Sequence, residues 1–381
     1  MKKNLLIVSA TRMAQKDGQV FVFEPTLREV EKLTQIFDSI TWIGVHDPQI
    51  PNLNGRNDQT QKIKFVVLPM LGGAGWKNKI RLIFLLPFQV LTIWKTMLKF
   101  HFIHTRAPST PALIAIGLGK WMKGKRFWHK FAGNWVDPNP PFSYGIQKKW
   151  MLKFQHGSIA VNGKWPNMPK HIHAFENPCF SELELQEARN LSEEKKFDEK
   201  INLLFVGRVE EEKGIGRIIR AIQILPEHLQ NQIGKLTIIG KGRDLEKLMN
   251  EAQQNLKVPF QFLGSLKRDA LNLAYAESHV FCLPSNASEG FPKVIAEAAA
   301  FKNALLVSSV SSVAQYVHHQ KHGFVCEQLT PEEIGSFLKS YLENREMLEK
   351  HAQSAMEIPQ LFTYERYNHR VVTEIFPELG N

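Results

Sequence analysis

The stretch Leu203–Ile222 reads "LLFVGRVEEEKGIGRIIRAI". Its apolar opening has the make-up of a buried strand, Gly207 breaks the run, and a helical segment follows. Two cations mark the change: Arg208 directly after Gly207, then Lys213 with four residues between them. Strand, glycine turn and helix return in "LTIIGKGRDLEKL" (Leu236–Leu248), with Gly240 and Gly242 at the turn. One glycine turn is weak evidence. The same turn recurring after several strands predicts a parallel sheet joined by crossover helices.

Further strands follow C-terminally in "FQFLG", "HVFCLP" and "ALLVSS". In the first half, strands are predicted at Asn4–Ala10, Ile40–Val45, Lys64–Leu68, Phe100–Thr105, Arg126–His129, Ser158–Asn162 and His171–Phe175. Helix-length segments such as Thr26–Phe37 and Thr110–Met122 lie between them. This is the alternation of an α/β protein with helices on both faces of its sheets. At 381 residues the chain is too long for one ordinary core. The polar tract Glu176–Lys200, opened by the breaker Asn177-Pro178, marks a boundary. The expected domains are residues 1–180 and 200–359, with residues 360–381 as a helix that rejoins the first. Doubly wound sheets bind ligands at the carboxyl ends of their strands, so a cleft between the two domains is the expected site.

The net charge of +11 is unevenly spread: residues 1–180 hold 25 Lys and Arg against 9 Asp and Glu, leaving 23 against 28 for the rest. Such asymmetry points to an anionic partner for the first half: a membrane surface, a phosphorylated substrate or nucleic acid. The three cysteines (Cys179, Cys282, Cys326) follow no ligand or redox spacing, and "MKKNLLIVSA" leads into a strand rather than a signal-peptide core. A reducing cytoplasm fits best. Ile80–Leu98 is apolar nearly all round, with Pro87 inside. It is read first as a buried helix, with interfacial membrane contact as the alternative, supported by the aromatics and cations of "KWMKGKRFW" (Lys120–Trp128). Its low-charge core is too short to span a bilayer.

"LPSNASEGFPKVIAEAAA" (Leu283–Ala300) ends a strand, passes through a polar loop and starts a helix at Pro292. The free amides of that helix start seat oxygen-rich or anionic ligands, and Gly290 permits close backbone approach. Glu289 and Glu297 flank the helix start, roughly 9–12 Å apart along it. That is too far to flank one scissile bond as a retaining hydrolase needs, at ~5–5.5 Å. The spacing suits an extended ligand gripped at two points, or simply a pairing of Glu297 with Lys293 and of Glu289 with the positive helix end.

Taken together, these residues resemble the retaining glycosyltransferases of the GT-B fold, in the large group that includes glycosyltransferase family 4. From about Asn202 to Gly323, "GRVEEEKG", "LTIIGKG", "FQFLGSL", "FCLPSNASEGFPKVIAEAAA" and "HHQKHGFV" come in the family order. The pair Glu289 and Glu297 is the most specific piece. The resemblance implies two Rossmann-like doubly wound domains facing a central cleft, with the acceptor in the first and the nucleotide-sugar donor in the second. Gly207, Gly240 and Gly242 would lie at the donor, Arg208 and Lys213 on its diphosphate, and Glu297 on its ribose. Glu289, with the backbone of Gly290, Phe291 and Pro292, would position the sugar. His129, ending a strand in "RFWHKFAGNW", is the preferred histidine beside the donor sugar, and His104 the other candidate. The glycine-rich loop that follows the first strand in many relatives corresponds to "SATRMAQKDGQVF" here, with Gly18 alone.

The expected activity is sugar transfer with retention from a UDP- or GDP-type donor, without cofactor or metal. The acceptor is a saccharide or lipid-linked, in surface polysaccharide or glycolipid assembly. A catalytically silent sugar-nucleotide binder and a basic nucleic-acid-binding protein are the alternatives from other classes. The second of these lacks a recognition motif.

Overall fold

The computed structural model describes residues 2–50, 55–71, 76–153, 157–287 and 289–380, with backbone alone over 76–83. The chain divides into two units, Met1–Glu176 with Arg366–Asn381, and Asn177–Glu365.

The first unit holds strands β1 (Asn4–Lys16), β2 (Gln19–Phe23), β3 (Ser39–His46), β4 (Gly55–Asn57), β5 (Ile63–Leu68), β6 (Phe102–Ala107), β7 (Arg126–Phe131), β8 (Gly157–Val161) and β9 (Ile172–Ala174). Its helices are α1 (Glu24–Leu33), α2 (Trp76–Leu98), α3 (Thr110–Gly119) and α4 (Phe142–Lys153). The parallel strands run β5-β3-β1-β6-β7-β8-β9. Numbered by appearance, that is the doubly wound order 3-2-1-4-5-6-7. Side chains of a strand alternate between faces, so Leu5 and Ile7 join one core cluster with α1 and the C-terminal Val371 and Phe376. Leu6 and Val8 join the other with Ile93, Met97 and Ala115.

The second unit holds β10 (Ile201–Val206), β11 (Ile233–Ile239), β12 (Phe260–Phe262), β13 (Val280–Leu283), β14 (Ala304–Ser308) and β15 (Gly323–Cys326). They form one parallel sheet in the order β12-β11-β10-β13-β14-β15, again 3-2-1-4-5-6. The helices that precede and flank it are α5 (Glu182–Ser192), α6 (Ile215–Gln223), α7 (Glu227–Gln230), α8 (Leu245–Asn255), α9 (Arg268–Ala276) and α10 (Lys293–Ala300).

Two expectations need correction. The loop expected after the first strand is a hairpin: β1 runs on to Lys16 and pairs antiparallel with β2 around Asp17 and Gly18, both at positive φ. Asp-Gly is the turn signal that matches strand twist, so the chain folds back rather than opening a loop. The tract Glu176–Lys200 carries a helix. Ser181 and Glu184 form a reciprocal capping box that starts α5, and Leu185 and Ala188 bury one face of it. Finally, α2 is not a buried helix. Gln89, Ile93 and Met97 are buried, whereas Phe84, Phe88, Leu91, Trp94 and Leu98 are exposed.

Candidate functional site

Three strand ends meet at the carboxyl edge of the second sheet. After β10, Gly207 N donates to Ile239 O at 3.0 Å and Val209 N to Lys241 O at 3.1 Å, which holds the β10 turn against the β11 turn. Gly240 allows this: its φ is +141°, and a Cβ there would meet Gly207 O at 1.8 Å. A Cβ on Gly242 would likewise meet Val209 O, at 2.1 Å. On the other side, Asn286 N donates to Glu212 O at 2.9 Å and Ser285 Oγ donates to the same oxygen at 3.3 Å. Gly214, at φ +94°, turns the backbone under Pro284, whose O a Cβ would meet at 2.3 Å.

This interlocking brings Lys213 onto Glu289. Lys213 ends a single turn of 3-10 helix (Glu211–Lys213) and is buried, and its Nζ forms an ion pair and hydrogen bond with Glu289 Oε1. Glu289 stands on the turn before α10, at a small pocket whose lining includes Ser285, Gly290, Pro292, Ser308 and Val313. Pro292 is the residue before the helix, so the first amides of α10 carry no proline. Phe291 turns inward and stacks on Phe362 at 4.6 Å between ring centres, which fixes the Gly290–Pro292 backbone to the core.

Arg208 behaves differently. Its side chain is 60% exposed and pairs within its own loop, with Glu210 at 2.7 Å and Glu212 at 3.5 Å. The first contact lacks hydrogen-bond alignment and is a Coulombic pair only. Arg243 also reaches Glu212, at 3.6 Å. The two cations of this strand end are therefore not equivalent: one is buried on Glu289, the other is solvated among acids.

Glu297 lies further along α10 and is buried. Arg268 Nη1 donates to its Oε1 at 2.8 Å, and Tyr275 OH donates to its Oε2 at 3.1 Å. Arg268 opens α9 and Tyr275 sits seven residues on, so both lie on one helix face. Burial opposes the Arg268 charge, but Glu297 outweighs it and raises the pKa. Burial first, then the negative charge of Glu297, holds Tyr275 well above the usual phenol range, so it stays a donor. The sequence reading missed both partners. The only signal was their seven-residue spacing, which says nothing of a carboxylate 29 and 22 positions away.

The histidines belong to the first unit. His129 is buried on β7, with Nδ1 at 2.8 Å from Thr105 Oγ1 and its ring stacked on Phe127. His104 is fully buried on β6, stacked on Trp128 at 3.7 Å. Burial and then Arg106 hold its pKa well below the usual imidazole range. Arg106 is bound to Glu29, with contacts at 2.7 and 3.3 Å, and Lys130 Nζ reaches the same carboxylate at 2.7 Å. Among the described residues, no group of three or more His, Cys, Asp or Glu is placed to hold a metal. Nor is any described helix long and apolar enough to cross a membrane.

Residues 187–357 match the family described as glycosyl transferases group 1. An uncharacterized glycosyltransferase of Methanocaldococcus jannaschii is 27% identical over 52% of this chain and 52% of its own length. One from Haemophilus influenzae is 31% identical over 38% of this chain and 40% of its own. The chain thus spans about half or less of the length of these curated relatives. The solved structure of Anabaena HepE in complex with UDP superposes at a TM-score of 0.70 with 14% identity, covering 98% of this chain and 99% of that one. Both units are accordingly the doubly wound halves of a GT-B fold, as the resemblance led us to expect.

Proposed function

We propose that this protein transfers a sugar from a nucleoside-diphosphate sugar to an acceptor hydroxyl. The observation that carries the reading is the Lys213–Glu289 pair at the junction of three strand-end turns, beside the amino end of α10. A buried ammonium there can neutralise a diphosphate whose charge grows as it leaves. Arg208 is exposed on the same loop, free to swing from Glu210 and Glu212 onto a phosphate. Glu289, once Lys213 engages the diphosphate, is a carboxylate acceptor for sugar hydroxyls, beside the backbone of Gly290, Phe291 and Pro292. Glu297, held by Arg268 and Tyr275, accepts from the ribose hydroxyls. Gly207, Gly240 and Gly242 keep the nucleotide side of the site to bare backbone.

The acceptor oxygen forms the new bond to the anomeric carbon as the bond to the diphosphate oxygen breaks. The hydroxyl proton passes to the departing diphosphate. Attack on the face from which the diphosphate leaves, and hence retention, follows the family resemblance, as does His129 beside the sugar. No metal is invoked, since Lys213, Arg208 and the α10 amides supply the positive potential. The neighbour solved with UDP supports a uridine donor as the first to test. The basic first unit supports a cytoplasmic enzyme working at the inner face of a membrane, on a lipid-linked or saccharide acceptor of surface polysaccharide or glycolipid assembly.

The test is a thermal-shift panel of nucleoside diphosphates and their sugars, followed by an assay of diphosphate release with acceptor present. A matching donor raises the melting point by mass action. If no nucleoside diphosphate shifts the protein, the donor reading fails. A donor that binds without any release in the presence of acceptor extracts would instead identify a silent binder.

A further inference from the structure

We propose that the outward face of α2, with the basic turn at its carboxyl end, is a docking surface for an anionic lipid bilayer. The inference deepens the proposed function by placing a membrane contact, and rests on that reading only for its purpose. At 100° per residue, Phe84, Phe88, Leu91 and Leu98 fall in one stripe, with Trp94 at its edge. All are exposed, Phe84 to 73% and Phe88 to 53%. The opposite face, Gln89, Ile93 and Met97, is what the unit buries. An ordinary surface helix shows the reverse polarity, and a contiguous apolar face of this kind marks an interaction site. From Phe84 to Leu98 the helix extends ~21 Å, enough to lie in an interface and not to cross one.

The charge around the stripe selects the occupant. No Asp or Glu occurs between Asp58 and Asp137, whereas thirteen Lys and Arg do. Lys95 and Lys99 are exposed within and just beyond the stripe, where long side chains lift their ammonium groups to a headgroup layer. Lys125 Nζ donates to Leu98 O at 2.8 Å, which fastens the turn after α3 to the end of α2. That turn presents Trp121, 77% exposed with Lys120 at 4.8 Å over its ring, and the exposed Lys123. An indole beside lysines at the edge of an apolar face suits the headgroup boundary, and the cations favour anionic lipid. A second copy of this chain fits less well, because a two-fold contact would set these lysines against themselves.

The experiment is vesicle flotation of the full chain, with phosphatidylcholine alone or with about 30% phosphatidylglycerol, at about 0.1 M and about 0.5 M salt. Wild type floats with the anionic vesicles and more strongly at low salt. Phe88→Asp with Leu91→Asp lowers the bound fraction by roughly tenfold or more at both salts, and Lys120→Glu with Lys123→Glu removes only the low-salt gain. Should the aspartate pair fail to fold, Trp94→Ser, whose indole is exposed, tests the same face. Wild type that stays with the unbound fraction at low salt overturns the proposal. So do variants that float like wild type, or a solution dimer that Phe88→Asp and Leu91→Asp dissociate, which would make the face a contact between copies. A UDP-induced rise in melting point, measured in every variant, reports the donor site separately. Its absence throughout would remove the uridine donor and leave the flotation result standing.

Discussion

β1 and β10 occupy the same place in their sheets, each the strand from which the order runs outward in both directions. β10 stops at Val206 in a glycine turn and hands over to Arg208 and Lys213. β1 runs on through a bulge between Val8 and Arg12 and closes a hairpin at Asp17-Gly18. The charges differ in the same way. In the second unit, Glu210, Glu212 and Glu289 sit on strand-end turns against Arg208 and Lys213. In the first, Glu29 is buried under Arg106, Lys130 and Tyr367, which joins α1, β6, β7 and the C-terminal Tyr364–Arg370 helix. One strand order thus carries ion pairs on turns at one sheet edge and a buried ion cluster inside the other unit. Topology sets where a site can be; the residues at the strand ends decide whether one exists.

Removing the buried cluster's anion has the largest expected effect. Glu29→Gln leaves Arg106 and Lys130 without that carboxylate in a buried setting, which costs about 3–5 kcal/mol of stability. Denaturant unfolding measures it, with nucleotide binding by the remaining folded protein unchanged. A loss below about 1 kcal/mol would mean that water or other groups already satisfy the cations, and that the contrast between the units is overstated.

Lys213→Ala comes next and acts on turnover rather than stability. On the proposed reading it removes a buried cation from the leaving diphosphate, for a loss of about 10²–10³ in rate. Arg208→Ala, taken from an exposed and flexible pair, costs about tenfold. Initial rates of diphosphate release check both. Equal losses would contradict the unequal settings of the two cations, and an Arg208→Ala rate within about threefold of wild type would remove it from the phosphate site.

The sequence carried the second unit's strands and turns because its signals there are local. A buried strand shows as a short apolar run, and a glycine at a forced turn cannot be replaced cheaply, so Gly240 and Gly242 stand out. Asp17-Gly18 and Ser181-x-x-Glu184 were equally local and equally readable, as a hairpin and a helix start, and were passed over. α2 is a different matter. A helix apolar on nearly every side looks the same whether one face or all of it is buried, since periodicity cannot report which neighbours exist. The Arg268–Glu297–Tyr275 set was beyond reach for another reason: the chain brings α9 and α10 together only through the tertiary fold. Strand-end histidines share this limit. Burial of His104 against Trp128, and of His129 against Thr105, depends on neighbours across the sheet.

A pH effect of intermediate size separates the units again. His279, the residue before β13, accepts from Asn202 N through Nδ1 at 2.9 Å and meets Lys196 O through Nε2. That arrangement needs the neutral ring. Burial, then the charge of Lys195, lowers its pKa to about 4. Because the folded pKa lies below the unfolded one, the stabilisation is complete above about 6.5 and is lost as pH falls toward 4. The second unit should therefore lose up to roughly 3 kcal/mol over that window. His279→Gln, which can keep one of the two bonds, flattens the profile while lowering stability at neutral pH. A profile as steep in the variant as in wild type would assign the acid loss elsewhere.

The smallest effect tests whether Glu297 is held for a ligand or merely buried. Tyr275→Phe deletes the donor to Oε2 and leaves Arg268 on Oε1. The ring stays packed on Phe301, with which it stacks at 5.6 Å, so the stability cost is about 1 kcal/mol. If Glu297 accepts from the ribose, its carboxylate is then held by one donor fewer, and donor KM should rise about fivefold with kcat nearly unchanged, the mark of lost ground-state binding. Arg268→Lys keeps the charge but gives up the planar donor, and should move KM the same way. A purely structural role predicts something else: the melting point falls and KM for the donor stays put. In that case Glu297 belongs to the core of α10, and the donor's ribose must be gripped by other residues of the sheet edge.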